Sequence, residues 1–117
     1  VEGKPINVFN NGKMKRDFTY IDDVVGGVLR ALEKPYPYEI FNIGNSQTVD
    51  LNHFIGSIER ELGKKAIIEY NDLQPGDVIE TFADITHAKE VLDFHPQTSI
   101  DEGIRKFVEW YKSYYEK

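Results

Sequence analysis

An arginine followed by two aromatic and three acidic residues is the part of this sequence best suited to binding an anion. The stretch runs from Arg16 to Asp23 and reads RDFTYIDD. In an extended strand Arg16, Phe18 and Tyr20 share one face, because successive side chains point to opposite sides. An arginine at a strand end beside a helix start is well placed to meet a phosphate, which its planar guanidinium can bind through two oxygens. A surface arginine on an edge strand is the alternative for the same residues.

Two further segments carry residue types that suit ligand contacts. The strand Asn7-Val8-Phe9 could pair its backbone with a flat heterocycle while an aromatic ring packs on it, or it could be a plain amphipathic edge strand. The turn from Gln74 to Asp77, with Pro-Gly at its centre, holds an amide and a carboxylate in a rigid arrangement that suits hydroxyl and phosphate contacts. An ordinary surface turn would need the same Pro-Gly chemistry.

Residues for catalysis or for metal and cofactor binding do not form recognisable patterns in this sequence. It has no Gly-x-Gly-x-x-Gly or Walker loop for phosphates, and it has no cysteine. His53, His87 and His95 lie on different predicted elements, so we interpret them as surface or packing residues. No serine sits in a nucleophile elbow, and no carboxylate pair suggests a general acid and base. We therefore expect no catalytic residue, no cofactor site and no metal site in this chain.

The composition indicates one folded domain, residues 1–117. The net charge of −6 argues against nucleic acid as a partner. No apolar run approaches the roughly 20 residues that a membrane-spanning helix needs. The chain begins at Val1 and lacks a signal-peptide pattern, so we expect a cytoplasmic piece of a longer protein.

The remaining residues predict the elements that must position these three segments. β-branched and aromatic runs bounded by turn residues predict short strands at 6–9, 16–20, 38–44 and 66–70. We expect strand 16–20 to return beside strand 6–9, because the turn at 10–13 contains Asn-Gly, which tolerates positive φ. Residues 71–80 carry Pro-Gly and are expected to form a loop.

Apolar residues at helical spacing predict four helices. The first covers about 23–33 with Asp22 or Asp23 as its cap, and the second covers 51–62 with Asp50 as cap and Gly63 as stop. The third runs from Asp84 through Leu92. A final helix opens with a Ser99–Glu102 capping box and is expected to bury Ile100, Ile104, Phe107, Val108, Tyr111 and Tyr114. Short strands alternating with four helices indicate a mixed α/β or α+β domain, too small for a complete doubly wound sheet.

Taken in order, these segments resemble the C-terminal half of the extended short-chain dehydrogenases, the NAD-dependent nucleotide-sugar epimerases and dehydratases. The matching motifs are PINVF at 5–9, Gly12 with RDFTYIDD at 16–23, FNIG at 41–44, QPGDV at 74–78, TFAD at 81–84, PQTSI at 96–100 and EGI at 102–104. They cover essentially the whole chain. The QPGDV motif with its ETFAD continuation is most similar to the UDP-glucuronate epimerases, whereas UDP-galactose epimerases usually place an arginine at the position of Gln74.

This resemblance implies a C-terminal lobe of a Rossmann-type enzyme without the dinucleotide-binding sheet. It also implies substrate contacts for five residues. The uridine base would lie along Asn7 and Phe9, Arg16 would hold the diphosphate, and Gln74 with Asp77 would contact the phosphate or ribose. Asn42 and Gly44 would be structural, the glycine supplying a backbone conformation that other residues resist.

The family's chemistry is a reversible hydride transfer through bound NAD, with a tyrosine of a Tyr-x-x-x-Lys pair as general base. None of the seven tyrosines here is followed four residues later by lysine. The resemblance therefore implies that this chain is a substrate-binding fragment, inactive and monomeric by itself. In the intact enzyme an NAD-binding Rossmann domain would precede it. The intact enzyme is expected to be a homodimer and to serve polysaccharide biosynthesis. The alternatives are another dehydratase or reductase of the same family, or a non-catalytic carbohydrate-binding or interaction module.

Overall fold

The computed structural model describes residues 1–115, so the last two residues of the predicted domain lie outside the described part. It contains four short strands, which are β1 (Ile6–Val8), β2 (Lys15–Asp17), β3 (Thr48–Asp50) and β4 (Ile68–Tyr70). It also contains four α-helices, which are α1 (Ile21–Glu33), α2 (Leu51–Leu62), α3 (Thr86–Leu92) and α4 (Ile100–Tyr115). A 3-10 turn, Phe9–Gly12, follows β1. The predicted mixed α/β class is confirmed.

The strands form two separate pairs. β1 lies parallel to β4, with Ile6 opposite Ile68, and β2 lies antiparallel to β3, with Lys15 opposite Asp50. The expected pairing of 6–9 with 16–20 is therefore wrong. Asn10, Asn11 and Gly12 all take positive φ, so the chain makes a longer turn than a two-residue hairpin. That turn leads the chain into the second strand pair.

The predicted strand at 38–44 is also wrong, and β3 forms nearby instead. Tyr38 is 84% exposed and Ile40 is 68% exposed, with no strand beside them in the described part of the chain. A strand forms only where a neighbour completes its hydrogen-bond ladder. Residues 48–50 have such a neighbour in β2, and residues 38–44 do not.

The buried core lies around α3. Ile85, Ala88, Leu92 and Phe94 form its centre, and the half-buried Phe41 packs against it with other apolar residues. On another side α2 packs on α4, burying Ile55, Ile104 and Val108. Within residues 1–115 no helix combines the length and the apolar character needed to cross a membrane.

The start of α1 differs from the prediction. The helix begins at Ile21, and its cap position, Tyr20, makes no side-chain capping bond. Asp23 lies in the first turn, and its carboxylate accepts the backbone N–H groups of Gln97 (3.2 Å) and Thr98 (3.0 Å). Capping by Asp22 or Asp23 is therefore wrong, because the Asp23 carboxylate joins α1 to the segment before α4.

The other helix ends follow their predicted signals more closely. Asp50 holds the cap position of α2, although without a side-chain hydrogen bond, and Gly63 ends this helix with a φ of 65°. The Asp84 carboxylate accepts the Thr86 N–H at the start of α3 (3.0 Å). The Ser99 hydroxyl accepts the Glu102 N–H at the start of α4 (3.3 Å), which is one of the two hydrogen bonds of a capping box.

The buried stripe of α4 is narrower than predicted. Ile104 and Val108 are buried, but Phe107 is 51% exposed and Tyr114 is 58% exposed. Among the described elements, α2 packs extensively on α4 and covers one face of it. Phe107 and Tyr114 stay largely exposed despite this contact, so their burial was predicted wrongly.

Candidate functional site

Arg16 and Asp77, which lie 61 positions apart in the sequence, form an ion pair. Nη2 of Arg16 donates to Oδ1 of Asp77 (3.2 Å). Nη1 donates to the carbonyl oxygens of Lys15 (2.8 Å) and Ile79 (3.1 Å). The Arg16 side chain is 23% exposed, so the guanidinium is held at the surface in a defined orientation.

A tight turn presents Asp77 to the arginine. The Asp77 N–H donates to the Gln74 carbonyl (3.1 Å), and Gly76 takes a φ of 84° between them. Proline followed by a residue with positive φ is the pattern of a type II turn, which explains Pro75 and Gly76. The Asp77 carboxylate also accepts the Val78 N–H (3.0 Å). The predicted rigid turn from Gln74 to Asp77 is therefore present.

The end of the same loop is attached to β2. The Lys15 N–H donates to the Ile79 carbonyl (2.9 Å), and the Thr81 N–H donates to the Lys15 carbonyl (3.2 Å). Residues 79–81 thus run beside β2 like a short additional strand. This attachment sets the distance between Asp77 and Arg16.

The beginning of the loop is attached to β1. The Asn71 side chain donates to Oδ1 of Asn7 (3.0 Å), and the Asn71 N–H donates to the Val8 carbonyl (2.9 Å). Asn7 is exposed, and Phe9 is half-buried where the 3-10 turn begins. Asn7 and Phe9 therefore lie near the start of loop 71–80, and Arg16 contacts its later part.

Asp17, the residue after Arg16, is a polar centre that the sequence analysis missed. Its Oδ1 accepts the Asn45 N–H (3.0 Å), and its Oδ2 accepts the N–H groups of Ser46 (2.9 Å) and Ala83 (3.0 Å). Its own N–H donates to Oγ1 of Thr81 (3.2 Å). An acidic side chain on the strand face opposite Arg16 was the available signal, since a half-buried carboxylate requires donors.

Asn42 and Gly44 are structural, as predicted, but the reason for the glycine is different. The Asn42 amide donates to the Asp84 carbonyl (3.1 Å). A Cβ atom on Gly44 would lie 2.4 Å from the Cβ of Ala83, so close backbone approach requires the glycine. The unusual backbone conformation belongs to Ser46 instead, with a φ of 56°.

A Ser, His and Asp cluster between α2 and α4 has the residue types of a catalytic triad but different geometry. The Ser57 hydroxyl donates to Asp101, and Arg60 Nη2 (2.9 Å) and His53 Nε2 (3.2 Å) contact the same carboxylate. A triad needs the serine bonded to the histidine, and Ser57 is only 1% exposed. The hydrogen bond from Ser57 and the Arg60 guanidinium hold the pKa of Asp101 below its ordinary value. The cluster joins the two helices.

The other two histidines also face carboxylates. His87 lies 3.3 Å from Glu39, and His95 lies 3.1 Å from Asp93. Over residues 1–115 no group of three or more His, Asp or Glu side chains could hold a metal ion. The Arg16 guanidinium can bind an anion at Nη2, where it now meets the Asp77 carboxylate.

Comparison with known proteins gives a family match over most of the chain. The family described as GDP-mannose 4,6 dehydratase matches residues 2–107. An uncharacterised protein of Methanocaldococcus jannaschii is 49% identical over 109 residues, which is 93% of this chain and 33% of that protein. A UDP-glucuronate 4-epimerase of Thermodesulfobacterium geofontis is 45% identical over 112 residues, which is 95% of this chain and 34% of that protein.

A solved structure gives the same picture. The UDP-glucuronic acid 4-epimerase of Bacillus cereus, in complex with UDP-glucuronic acid and NAD, superposes with a TM-score of 0.86 and 34% identity. The match covers 97% of this chain and 37% of that chain. The chain therefore spans about a third of the length of the proteins that it resembles.

Proposed function

This chain belongs to the GDP-mannose 4,6 dehydratase family, and from that premise we propose that it is the substrate-binding part of an NAD-dependent UDP-sugar epimerase of the UDP-glucuronate 4-epimerase type. The resemblance to extended short-chain dehydrogenases is confirmed by the family match and by the related epimerases. In this proposal residues 1–117 form one domain that positions the UDP part of the substrate. The reacting groups belong to the rest of the longer protein.

The ion pair of Arg16 with Asp77 is the observation that carries the proposal. Two backbone carbonyls fix the plane of the guanidinium, and its Nη2 faces the loop with a carboxylate as partner. A phosphate presents the same kind of charged acceptor as a carboxylate, and an arginine can bind two of its oxygens together. A diphosphate would therefore take the position at Nη2 that Asp77 now holds.

The orientation of β1 supports a place for the base. Ile6 and Val8 turn their backbone groups towards β4, so those of Asn7 point to the opposite edge of the strand. One N–H and one C=O side by side match the donor and acceptor edge of a pyrimidine. In the proposal the uridine base lies along this edge, with the Phe9 ring beside it. Gln74 and Asp77 contact the phosphate or ribose.

The exposed apolar surface supports the idea of a missing partner domain. Val25, Val28, Leu29 and Leu32 of α1 are all about half exposed or more, and Ile40 lies on the surface as well. A contiguous apolar face on a helix is typical of an interface. In the proposal this face packs against an NAD-binding Rossmann domain of the same protein, which also carries the Tyr-x-x-x-Lys pair.

We further propose that the intact protein is a cytoplasmic, homodimeric enzyme of polysaccharide biosynthesis. For residues 1–117 alone we propose a monomeric state.

Turnover by the intact protein tests this function. With NAD and UDP-glucuronate, we expect NMR to show the UDP-linked sugar inverted at C4. The alternative of a dehydratase, which the family description favours, predicts loss of water from the sugar instead. No conversion of any UDP-sugar would contradict the proposal. Residues 1–117 alone are expected to convert nothing, and turnover by them would contradict the assignment of catalysis to the rest of the protein.

A further inference from the structure

We propose that Asp17 is a positioning residue of the nucleotide site, which holds Arg16 and loop 71–80 in register through backbone hydrogen bonds. This inference rests on the proposed function, because it takes Arg16 as the residue that meets the diphosphate. Asp17 itself points to the other face of β2 and acts on the site through its neighbours.

The Asp17 carboxylate joins three chain segments. Asn45 and Ser46 donate from the turn before β3, and Ala83 donates from the segment before α3. Hydrogen bonds from N–H groups to an ionised carboxylate are about twice as strong as those between neutral groups. A single side chain therefore fixes two loops on β2.

The segment that Asp17 holds is the one that orients Arg16. The Ile79 carbonyl accepts from both Lys15 N–H and Arg16 Nη1. Four residues later, Ala83 is bound to the Asp17 carboxylate. Residues 79–83 are thus attached to β2 at both ends. Release of Ala83 would free one end of this segment, and the Ile79 carbonyl, one of the two acceptors that fix the guanidinium plane, would lose part of its support.

The packing around the carboxylate leaves little freedom for another arrangement. Gly44 and Ala83 approach so closely that a Cβ on Gly44 would lie 2.4 Å from the Ala83 side chain. The same Cβ would lie 3.5 Å from Oδ2 of Asp17. An asparagine at position 17 would turn one oxygen into an NH₂ group that faces a backbone N–H, so at least one of the three bonds is lost.

Asp23 provides a matched control for a purely structural role. Its carboxylate also accepts two backbone N–H groups, those of Gln97 and Thr98, but it sits in α1. Asp23→Asn removes the same kind of bond without touching β2 or loop 71–80. The comparison therefore separates loss of fold from loss of site geometry.

The experiment compares four variants of the intact protein: Asp17→Asn, Asp23→Asn, Arg16→Ala and the double variant of Asp17→Asn with Arg16→Ala. For each variant it measures KM, kcat, the Kd for UDP and the temperature of thermal unfolding. We expect Asp17→Asn to raise KM and the Kd for UDP by about tenfold while kcat stays within about twofold. Asp23→Asn should lower the unfolding temperature and leave KM unchanged. The double variant should resemble Arg16→Ala alone, since residues that act through one contact are not additive.

Each other outcome has a definite meaning. An unchanged KM in Asp17→Asn, with a raised KM in Arg16→Ala, overturns the positioning role and leaves the proposed function intact. An unchanged Kd for UDP in Arg16→Ala overturns the assignment of Arg16 to the diphosphate, and the positioning role with it. If Asp17→Asn does not fold, Thr81→Val removes the acceptor of the Asp17 N–H. This variant should raise KM about threefold, and an unchanged KM would overturn the inference.

Discussion

Asp17 and Asp101 each lie at the centre of a polar cluster, but their donors are of different kinds. Asp17 accepts three backbone N–H groups from two loops. Asp101 is contacted by three side chains of one helix, His53, Ser57 and Arg60. The first cluster lies beside the proposed nucleotide site, and the second joins α2 to α4.

Under the proposed function, this difference separates nucleotide binding at β2 from stability at the contact of α2 with α4. His53, Ser57 and Arg60 follow one another at helical spacing, so they share one face of α2 and hold α4 there. Backbone donors instead fix the course of loops, which is what the Arg16 site depends on. Changes near Asp17 should therefore alter nucleotide affinity, and changes near Asp101 should alter stability alone.

The largest effect is expected at Arg16. Arg16→Ala should weaken UDP binding by about 1.5–3 kcal/mol, the range for a hydrogen bond to a charged group. Isothermal titration of the intact protein with UDP measures this change. Arg30→Ala is the matched control, because Arg30 also pairs with an aspartate, Asp93, but at the end of α1. Equal losses in the two variants would contradict the division into a binding side and a stability side.

Gly44→Ala tests the close packing beside Asp17. The added methyl group would overlap the Ala83 side chain, so the free energy of unfolding should fall by about 1–3 kcal/mol. UDP affinity should fall as well, because Ala83 would move away from the Asp17 carboxylate.

Gly56→Ala is the control, since a Cβ at this position in the middle of α2 meets nothing within 4 Å. That variant should gain about 0.5–1 kcal/mol. Urea denaturation measures both, and a Gly44→Ala protein as stable as wild type would show that the two loops can separate freely.

Ser57→Ala should change stability and leave binding intact. It removes a buried hydroxyl that donates to Asp101, so the free energy of unfolding should fall by about 1 kcal/mol. The Kd for UDP should not change, because the side chains that contact Asp101 all come from α2 and none of these contacts includes β2 or loop 71–80. Altered UDP affinity in a folded Ser57→Ala protein would show that the two clusters are coupled.

The same cluster predicts a pH dependence. The Ser57 hydroxyl and then Arg60 lower the pKa of Asp101 in the folded state. A carboxyl with a lowered folded pKa stabilises the fold above its unfolded value, about 3.9, and this contribution is lost as pH falls through the folded value. When the pH falls from about 5 to about 3, the unfolding temperature of the wild type should therefore drop further than that of Asp101→Asn. Parallel slopes in the two proteins would contradict a role for the ionised Asp101.

The sequence predicted the helices well because their signals are local. Apolar spacing located α2 and α4, and Gly63 ended α2 as expected. The strand pairs could not be predicted, since each strand has three residues and β1 finds its partner 62 positions later in β4. The strand expected at 38–44 had the right residue types but lacks a neighbour in the described chain.

The same contrast between local signals and distant contacts holds for the candidate site. Arg16 and the turn from Gln74 to Asp77 were recognised separately, because arginine and Pro-Gly are visible as residue types. Their ion pair was not predicted, because it depends on how residues 79–81 attach to β2. Asp17 was missed because its donors are backbone groups, which every sequence contains. Contacts of the five proposed substrate residues with a nucleotide stay a prediction.

The smallest expected effect is also the one that defines the Arg16 site most closely. The Asp77 carboxylate accepts the hydrogen bond from Nη2 of Arg16. A diphosphate that binds this guanidinium must therefore displace the carboxylate and remain near its negative charge. Asp77→Asn keeps the oxygen that accepts the Val78 N–H, but it removes the charge. We therefore expect UDP affinity to rise about threefold, or about 0.6 kcal/mol. Asp72→Asn removes an exposed charge from the same loop and controls for net charge. A lower affinity in Asp77→Asn than in Asp72→Asn would contradict this expectation, because it would mean that the charge of the carboxylate strengthens its proposed contact with the ribose by more than it repels the diphosphate.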